Sequence, residues 1–264
     1  MKKHIYFFII FLIFSCTQPI DIKEIKGIIF KTPKLENIEM LLNHVTDAFD
    51  PDHQNKYKDW KHYLGDPGRS HYSQLSGFTT KNVKSLKIAW TYEGRDYGQM
   101  QMNPVIIDTL LYGVSPSLRV FALDARSGKE IWVFGDTLKT WYSTSRGVSY
   151  WELGDDKRIF YTRGPDLWAL NAITGLPVSS FGDNGKIDLR SGLPTSAQNK
   201  FVVSSTPGTI FKNLIIMPLR LAEGVGAAPG DVMAFDVVTG NLAWSFHTLP
   251  HHGEPGVETW GNIN

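Results

Sequence analysis

The distribution of apolar residues divides the chain into three stretches. An unbroken apolar run from Ile5 to Phe14 follows Lys2 and Lys3. This run is shorter than the roughly 20 residues of a membrane-spanning helix, and it fits the core of a secretory signal peptide. In residues 17–58, apolar side chains recur at helical spacing, which predicts a short amphipathic helix within a spacer. From Trp60 onward the pattern changes to short strands separated by turn residues.

An internal repeat dominates the part of the chain after Trp60. Each copy has an Ala, then an Asp or Asn two residues later, then a Gly four residues after that. The three copies contain Ala122, Ala169 and Ala234. The Asp or Asn suits a tight turn, because its short side chain bonds to the backbone two residues on, and the Gly supplies a positive φ. Two copies add a tryptophan four residues further, Trp132 and Trp244.

The repeat predicts an all-β fold, a β-propeller with about three blades in this sequence. Two more strand-like runs precede each copy, and the copies are 47 and 65 residues apart. Such spacing is typical of four-stranded propeller blades. A tryptophan in the outer strand can cover the neighbouring sheet, so Val178 in the middle copy predicts a weaker or differently filled contact. Leu86 to Tyr92, which carries Trp90, is predicted as a lone outer strand. The alternative is a β-sandwich with similar hairpins.

Composition and charge narrow the classes of function. Eight Trp, 24 Gly and 14 Pro agree with a β-rich fold that has many turns. The formal net charge is +1, and it becomes −1 if Lys2 and Lys3 leave with a signal peptide. A nearly neutral protein has no electrostatic basis for binding nucleic acid. The single cysteine, Cys16, excludes an intrachain disulfide and a cysteine-rich metal site.

Cys16 follows the apolar run directly, after the small residue Ser15. This arrangement resembles a bacterial lipoprotein cleavage site. It implies that residues 1–16 hold a signal peptide and that Cys16 becomes the lipidated first residue of the mature protein. The predicted location is therefore a membrane, with the protein facing the periplasm or the cell surface, because several acyl chains anchor a protein stably. The alternative is a plain signal peptide that contains a cysteine.

The repeats resemble the tryptophan-docking motif of the quinoprotein dehydrogenases, which use pyrroloquinoline quinone (PQQ). The other motifs that resemble this family are Trp60 to Asp66, Tyr72 to Leu75, Asn82 to Trp90, Arg146 to Trp151, Gly226 to Gly230, Phe246 to His251 and Glu258 to Trp260. The last three are similar to the membrane glucose dehydrogenase-like branch in particular. The resemblance implies that residues 59–264 are part of an eight-bladed propeller, with PQQ and a Ca²⁺ ion near its axis.

The resemblance also implies a reaction and a set of site residues. A quinoprotein of this kind oxidises a sugar or an alcohol and passes the electrons to a quinone or cytochrome acceptor of the respiratory chain. Ca²⁺ acts as a Lewis acid, and a carboxylate base takes the proton of the substrate hydroxyl. By position in the matching motifs, the cofactor-binding residues are Gln101 (where the family has a glutamate), Arg146, Ser204 (or its neighbour Ser205) and Arg220, and the metal-binding residue is Glu223.

Three functional residues of the family fall after the region that ends at Asn264: the tryptophan that stacks on the quinone, a calcium-binding asparagine and the catalytic aspartate. The resemblance therefore predicts a truncated enzyme that lacks its base and is inactive alone, or else a natural short form that assembles with a partner. The competing hypothesis is a non-enzymatic propeller lipoprotein that acts as an outer-membrane assembly scaffold. Such a scaffold would not need Gln101, Arg146 and Glu223 together.

Overall fold

The computed structural model describes residues 60–73, 75–136 and 144–260. The predicted signal peptide, the lipidation site Cys16 and the predicted spacer helix lie outside the described residues. Within the described part of the chain, no helix is long and apolar enough to cross a membrane.

Three four-stranded antiparallel sheets follow one another along the chain. The first blade contains β1 (Val105–Ile107), β2 (Leu110–Val114), β3 (Val120–Asp124) and β4 (Glu130–Phe134). The second blade contains β5 (Ser149–Leu153), β6 (Asp156–Arg163), β7 (Asp166–Asn171) and β8 (Lys186–Asp188). Strands β9 (Val202–Val203) and β12 (Arg220–Leu221) pair with each other, while the third blade contains β10 (Thr209–Phe211), β11 (Leu214–Met217), β13 (Val232–Asp236) and β14 (Leu242–Phe246). Short 3-10 helices cover Val83–Ser85, Leu189–Gly192, Thr195–Ala197 and Val257–Trp260.

The predicted turn chemistry is confirmed in all three repeats. Asp124 Oδ1 accepts hydrogen bonds from the amides of Arg126 and Ser127 at 3.0 and 2.9 Å. Asn171 and Asp236 each accept the same pair of bonds from the amides two and three residues on. The glycines at the ends of the turns, Gly128, Gly175 and Gly240, have φ of 72°, 71° and 77°. Each turn is therefore fixed by its own short sequence.

Two tryptophans dock onto the glycine of the next repeat. The indole nitrogen of Trp132 donates to the carbonyl oxygen of Ala172 over 3.0 Å, and a Cβ added to Gly175 would lie 2.5 Å from the Trp132 ring. Trp90 occupies the same position on the first blade. Its indole nitrogen donates to the carbonyl oxygen of Ala125 over 3.1 Å, and a Cβ added to Gly128 would lie 2.5 Å from its ring. Only glycine leaves room for the indole face.

The contact between the second and third blades is filled differently, as the substitution by Val178 predicts. The buried guanidinium of Arg158, on β6, donates 2.9 Å hydrogen bonds to the carbonyl oxygens of Val237 and Val238, where the indole would donate. Ile187 on β8 packs where the ring would lie, 2.9 Å from a Cβ added to Gly240. A charged donor and an aliphatic side chain from two strands thus replace one tryptophan.

The hydrophobic core lies between successive blades. The first cluster joins side chains of the first and second blades, including Tyr112, Val120 and Ile159. The second cluster joins the second and third blades, including Phe160 and Met233. Each blade therefore buries its faces against its neighbours.

Two strand predictions need correction. Leu86 to Tyr92 carries the docked Trp90 but is not a regular strand, because no strand among the described residues pairs with it. The strand-like run that precedes the third repeat is also interrupted, because β12 pairs with β9 and not with a strand of the third blade. Residues 250–260 belong to a separate compact unit, in which the amide of His251 donates to Glu254 Oε2 over 2.7 Å.

Candidate functional site

Backbone hydrogen bonds join the segments that lead into β1, β5 and β10, the first strands of the three blades. The amide of Asn103, two residues before β1, donates to the carbonyl oxygen of Arg146 over 2.9 Å. The amide of Arg146, three residues before β5, donates to the carbonyl oxygen of Ser205 over 2.7 Å. Ser205 lies four residues before β10. Three segments that are far apart in sequence are therefore held at one edge of the neighbouring blades.

Arg146 is the central residue of this arrangement. Its amide and carbonyl are both bonded to other blades, whereas its side chain is exposed between the buried residues Ser145 and Gly147. A guanidinium carries five donors in a planar fork that matches carboxylate oxygens. The geometry therefore presents a cationic donor group from a rigid backbone position.

Gln101 lies on the same segment as Asn103 and is half-buried. It lies two residues before Asn103, whose amide donates to the carbonyl oxygen of Arg146. Gln101 is therefore close along the chain to the backbone that holds Arg146. Its amide offers both a donor and an acceptor.

The two candidate serines differ in their surroundings. Ser204 is buried, its hydroxyl donates to the carbonyl oxygen of Thr206 over 3.1 Å, and its carbonyl accepts from Thr162 Oγ1 over 2.6 Å. Ser205 is half-buried, and its carbonyl holds the amide of Arg146. The hydroxyl of Ser204 is thus bonded within its own loop, and Ser205 is the more exposed of the two serines.

Arg220 lies beside the segment that carries these serines. It lies in β12, where it pairs with Val203, the residue before Ser204. Its side chain is exposed. The structure thus places Arg220 beside the serine segment by strand pairing.

Glu223 lies in an exposed turn two residues after β12. A Ca²⁺ ion takes about six to eight oxygen ligands, so one exposed carboxylate supplies only part of a site. The structure leaves Glu223 accessible to a cation without enclosing one.

Sequence reasoning missed the residues that hold Arg146 in place. Gly147 has a φ of 132°, and its amide donates to the hydroxyl oxygen of the buried Ser145 over 3.2 Å. Asn103 forms an isolated parallel bridge with Gly147. The only local signal was a glycine directly after Arg146, because the bridge joins residues more than 40 positions apart.

A small cleft of about 60 Å³ lies between residues 60–70, here called the opening segment, and strands β5 and β10. The opening segment is bonded to all three blades. Trp60 exchanges backbone hydrogen bonds with Ile106, Lys61 Nζ is 2.9 Å from Glu152 Oε1, and Arg69 donates to Thr209 Oγ1 over 3.0 Å. The segment therefore acts as a clasp across the blades.

Hydrogen bonds in this clasp lower the pKa values of two carboxyl groups. Burial of Glu152 acts to raise its pKa, but hydrogen bonds from Lys61 and Tyr150 hold that pKa below its ordinary value. Burial similarly opposes the lowering of the Asp66 pKa, which the hydroxyl and amide of Ser70 achieve. Both carboxylates are therefore stabilised in their charged forms.

The fold defines an all-β protein of propeller blades, with Arg146 exposed where the first strands of the blades begin. Residues 60–263 match the family described as PQQ: Glucose/ethanol/alcohol dehydrogenase, beta-propeller domain. The chain belongs to this family, which confirms the predicted fold class and the predicted family and, with it, PQQ as the family's cofactor.

Named relatives agree with this assignment. The chain is 31% identical to the quinate/shikimate dehydrogenase (quinone) of Acinetobacter baylyi, over 77% of this chain and 29% of that protein. It is 30% identical to the quinoprotein glucose dehydrogenase of Escherichia coli, over 72% and 27% of the two chains. The crystal structure of quinohemoprotein alcohol dehydrogenase from Comamonas testosteroni shares the fold, with a TM-score of 0.62 and 24% identity over 77% of this chain and 29% of that one.

The chain spans less than a third of the length of these relatives. The roles of Gln101, Arg146, Ser204, Arg220 and Glu223 therefore stay predictions at this point.

Proposed function

We propose that this chain supplies the first blades of a PQQ-dependent dehydrogenase that oxidises a sugar or an alcohol. The observation that carries the proposal is the presentation of Arg146, whose backbone is bonded to two other blades while its guanidinium is exposed. The family match and the relatives that act on sugars and alcohols support the same reaction class.

The residues at this edge fit the chemistry of PQQ, a planar tricarboxylate with an ortho-quinone. Arg146 would donate to carboxylate or quinone oxygens, and the amide of Gln101 and the hydroxyl of Ser205 would add neutral hydrogen bonds. When bound, PQQ supplies the hydride-accepting group. The protein residues bind and orient it.

Glu223 is the residue that we assign to Ca²⁺, because a carboxylate oxygen is a ligand that this hard cation prefers. Arg220 lies on the strand that leads into the turn of Glu223. We assign the catalytic base to no residue of this chain.

The setting of the enzyme is part of the proposal. Lipid on Cys16 would anchor the protein to a membrane on the periplasmic or outer side, where a quinone or cytochrome accepts the electrons.

We also propose that the blades belong to an eight-bladed ring. In support, Trp132 docks on a glycine of the next blade, and Trp244 lies at the corresponding position of the third blade, opposite Ala234 as Trp132 lies opposite Ala122.

The decisive experiment measures PQQ binding, by equilibrium dialysis in the presence of Ca²⁺, for the wild-type chain and for Arg146→Ala. Loss of a charge-assisted hydrogen-bonding partner is worth about 1.5–3 kcal/mol, so we expect affinity to fall by roughly 10- to 100-fold. The matched control is Arg126→Ala, which removes an exposed arginine whose partner is the turn residue Asp124. That variant should bind PQQ as the wild type does.

Equal binding by the Arg146→Ala and wild-type chains would show that the site is misplaced. No specific binding by the wild-type chain would count against a PQQ site formed by the residues of this chain and would favour a non-enzymatic role for these blades.

A further inference from the structure

Gly147 has a backbone conformation that other residues rarely adopt. Its φ is 132°, in the region that favours glycine, and the residue is buried. It lies between Arg146 and strand β5, so its conformation sets the direction of the chain on both sides. A residue with a Cβ would be strained at this position in any surroundings.

At Gly147 the segments that lead into the first two blades also approach each other closely. A Cβ added to Gly147 would lie 2.5 Å from the carbonyl oxygen of Asn103, which is backbone and not a flexible side chain. The amide of Asn103 donates in turn to the carbonyl of Arg146 over 2.9 Å. An added side chain must therefore push apart the two segments whose hydrogen bond holds Arg146.

Ser145 completes the support from the other side. It is buried, and its hydroxyl oxygen accepts from the amide of Gly147 over 3.2 Å. With the bond from the amide of Arg146 to Ser205, every flank of Arg146 is fixed. An arginine side chain loses rotamer entropy when a ligand holds it, so a fixed backbone at Arg146 limits what binding must order in addition.

We propose that Gly147 is a positioning residue for Arg146. Its positive φ and its close approach to Asn103 aim the guanidinium of Arg146 at the ligand. This inference rests on the proposed function, because there the ligand of Arg146 is PQQ. It predicts that changes at Gly147 act on PQQ affinity through Arg146 and not through the stability of the blade alone.

The test compares Gly147→Ala with Gly154→Ala in equilibrium dialysis with PQQ and in thermal melting. Gly154 lies in the same blade with a φ of 60°, but a Cβ there would meet nothing within 4 Å. Both variants place a Cβ at a positive φ, with the milder strain at Gly154, and only the Cβ of Gly147→Ala meets the carbonyl oxygen of Asn103. We expect PQQ affinity to fall about tenfold or more for Gly147→Ala and less than about twofold for Gly154→Ala.

A double-mutant cycle separates positioning from general damage. In the Arg146→Ala background, Gly147→Ala should change PQQ affinity no further, because the group that it aims is absent. If the two substitutions are additive, the positioning role is wrong.

If Gly147→Ala does not fold, Ser145→Ala decides the matter. It removes the acceptor of the Gly147 amide without a clash, and it should weaken PQQ binding severalfold, again only when Arg146 is present. No effect of Ser145→Ala would then overturn the proposal. A wild-type chain that binds PQQ and depends on Arg146, but is indifferent to Gly147→Ala, overturns the positioning role alone. A wild-type chain that does not bind PQQ overturns instead the proposal that PQQ is the ligand of Arg146 in this chain.

Discussion

At the scale of single residues, the turn residues differ from the candidate site residue Arg146 in what fixes their conformation. Asp124, Asn171 and Asp236 act locally, since each accepts hydrogen bonds from amides two and three residues on. Bonds from Arg126 and Ser127 lower the pKa of Asp124 to about 2. Arg146 differs, because residues from other blades fix its backbone. The hydrogen bonds of a turn residue can therefore be predicted from its neighbours along the chain, whereas the hydrogen bonds that fix Arg146 cannot.

Glu223 gives a residue-scale prediction about the metal. Glu223→Gln keeps the size of the side chain but removes the charge that attracts Ca²⁺, so PQQ binding should require a higher Ca²⁺ concentration. Equilibrium dialysis at increasing Ca²⁺ measures this, with Glu258→Gln as a control at another exposed carboxylate. Binding that excess Ca²⁺ cannot restore, or that needs no more Ca²⁺ than the wild type, would count against the assignment.

At the scale of elements, the contact between the second and third blades shows how one docking interaction can replace another. The guanidinium of Arg158 is paired with Asp156, at 2.7 Å, and lies 5.6 Å from the centre of the Trp151 ring. These interactions compensate for its burial, since an unpaired buried charge is costly. Arg158 therefore joins the second and third blades, in the position that a tryptophan fills at the two other docking contacts.

Arg158→Met should destabilise the protein by about 2–3 kcal/mol, because two carbonyl oxygens and Asp156 lose their donor. Urea denaturation measures this free energy of unfolding. The matched control is Arg126→Met, which breaks an exposed pair with the same two-residue spacing. That change should cost less than about 1 kcal/mol. Similar losses for the two variants would mean that Arg158 does not join the blades.

The clasp formed by the opening segment predicts a dependence of stability on pH. The pKa of Glu152 is lower in the folded protein, so its contribution to stability is present above the ordinary pKa of about 4.5 and is lost as pH falls through the folded value. Between about pH 6 and pH 3, the wild-type melting temperature should therefore fall more than that of Glu152→Gln. Asp155→Asn, at an exposed position in the next turn, should follow the wild type. Parallel curves for the wild type and Glu152→Gln would contradict the role of the clasp.

At the scale of the whole molecule, the blades are stable by contact with each other. Each core cluster joins two sheets, so a blade without a neighbour exposes apolar surface. The outer strand β14 shows this, with Leu242 44% exposed and Phe246 37% exposed. This edge is where we expect a further blade to pack.

The isolated chain should therefore associate with itself, since an exposed apolar edge strand promotes pairing between molecules. Sedimentation velocity at increasing concentration should show association, and a variant with both Leu242→Lys and Phe246→Lys should show less. Ile173→Lys, at an exposed turn position, is the control and should associate as the wild type does. A monomer at every concentration, with a sharp two-state melt, would refute this expectation.

The sequence alone determined the repeat, its turns and the all-β class, because these depend on residues only a few positions apart. A local motif that resembles the family's also singled out Arg146 as a candidate site residue. The tertiary structure decided which groups surround Arg146, that Arg158 and Ile187 fill the contact without a tryptophan, and that Leu86 to Tyr92 does not form a strand. These outcomes depend on hydrogen bonds and packing between segments that are distant along the chain, and no local pattern specifies which distant partner a residue meets.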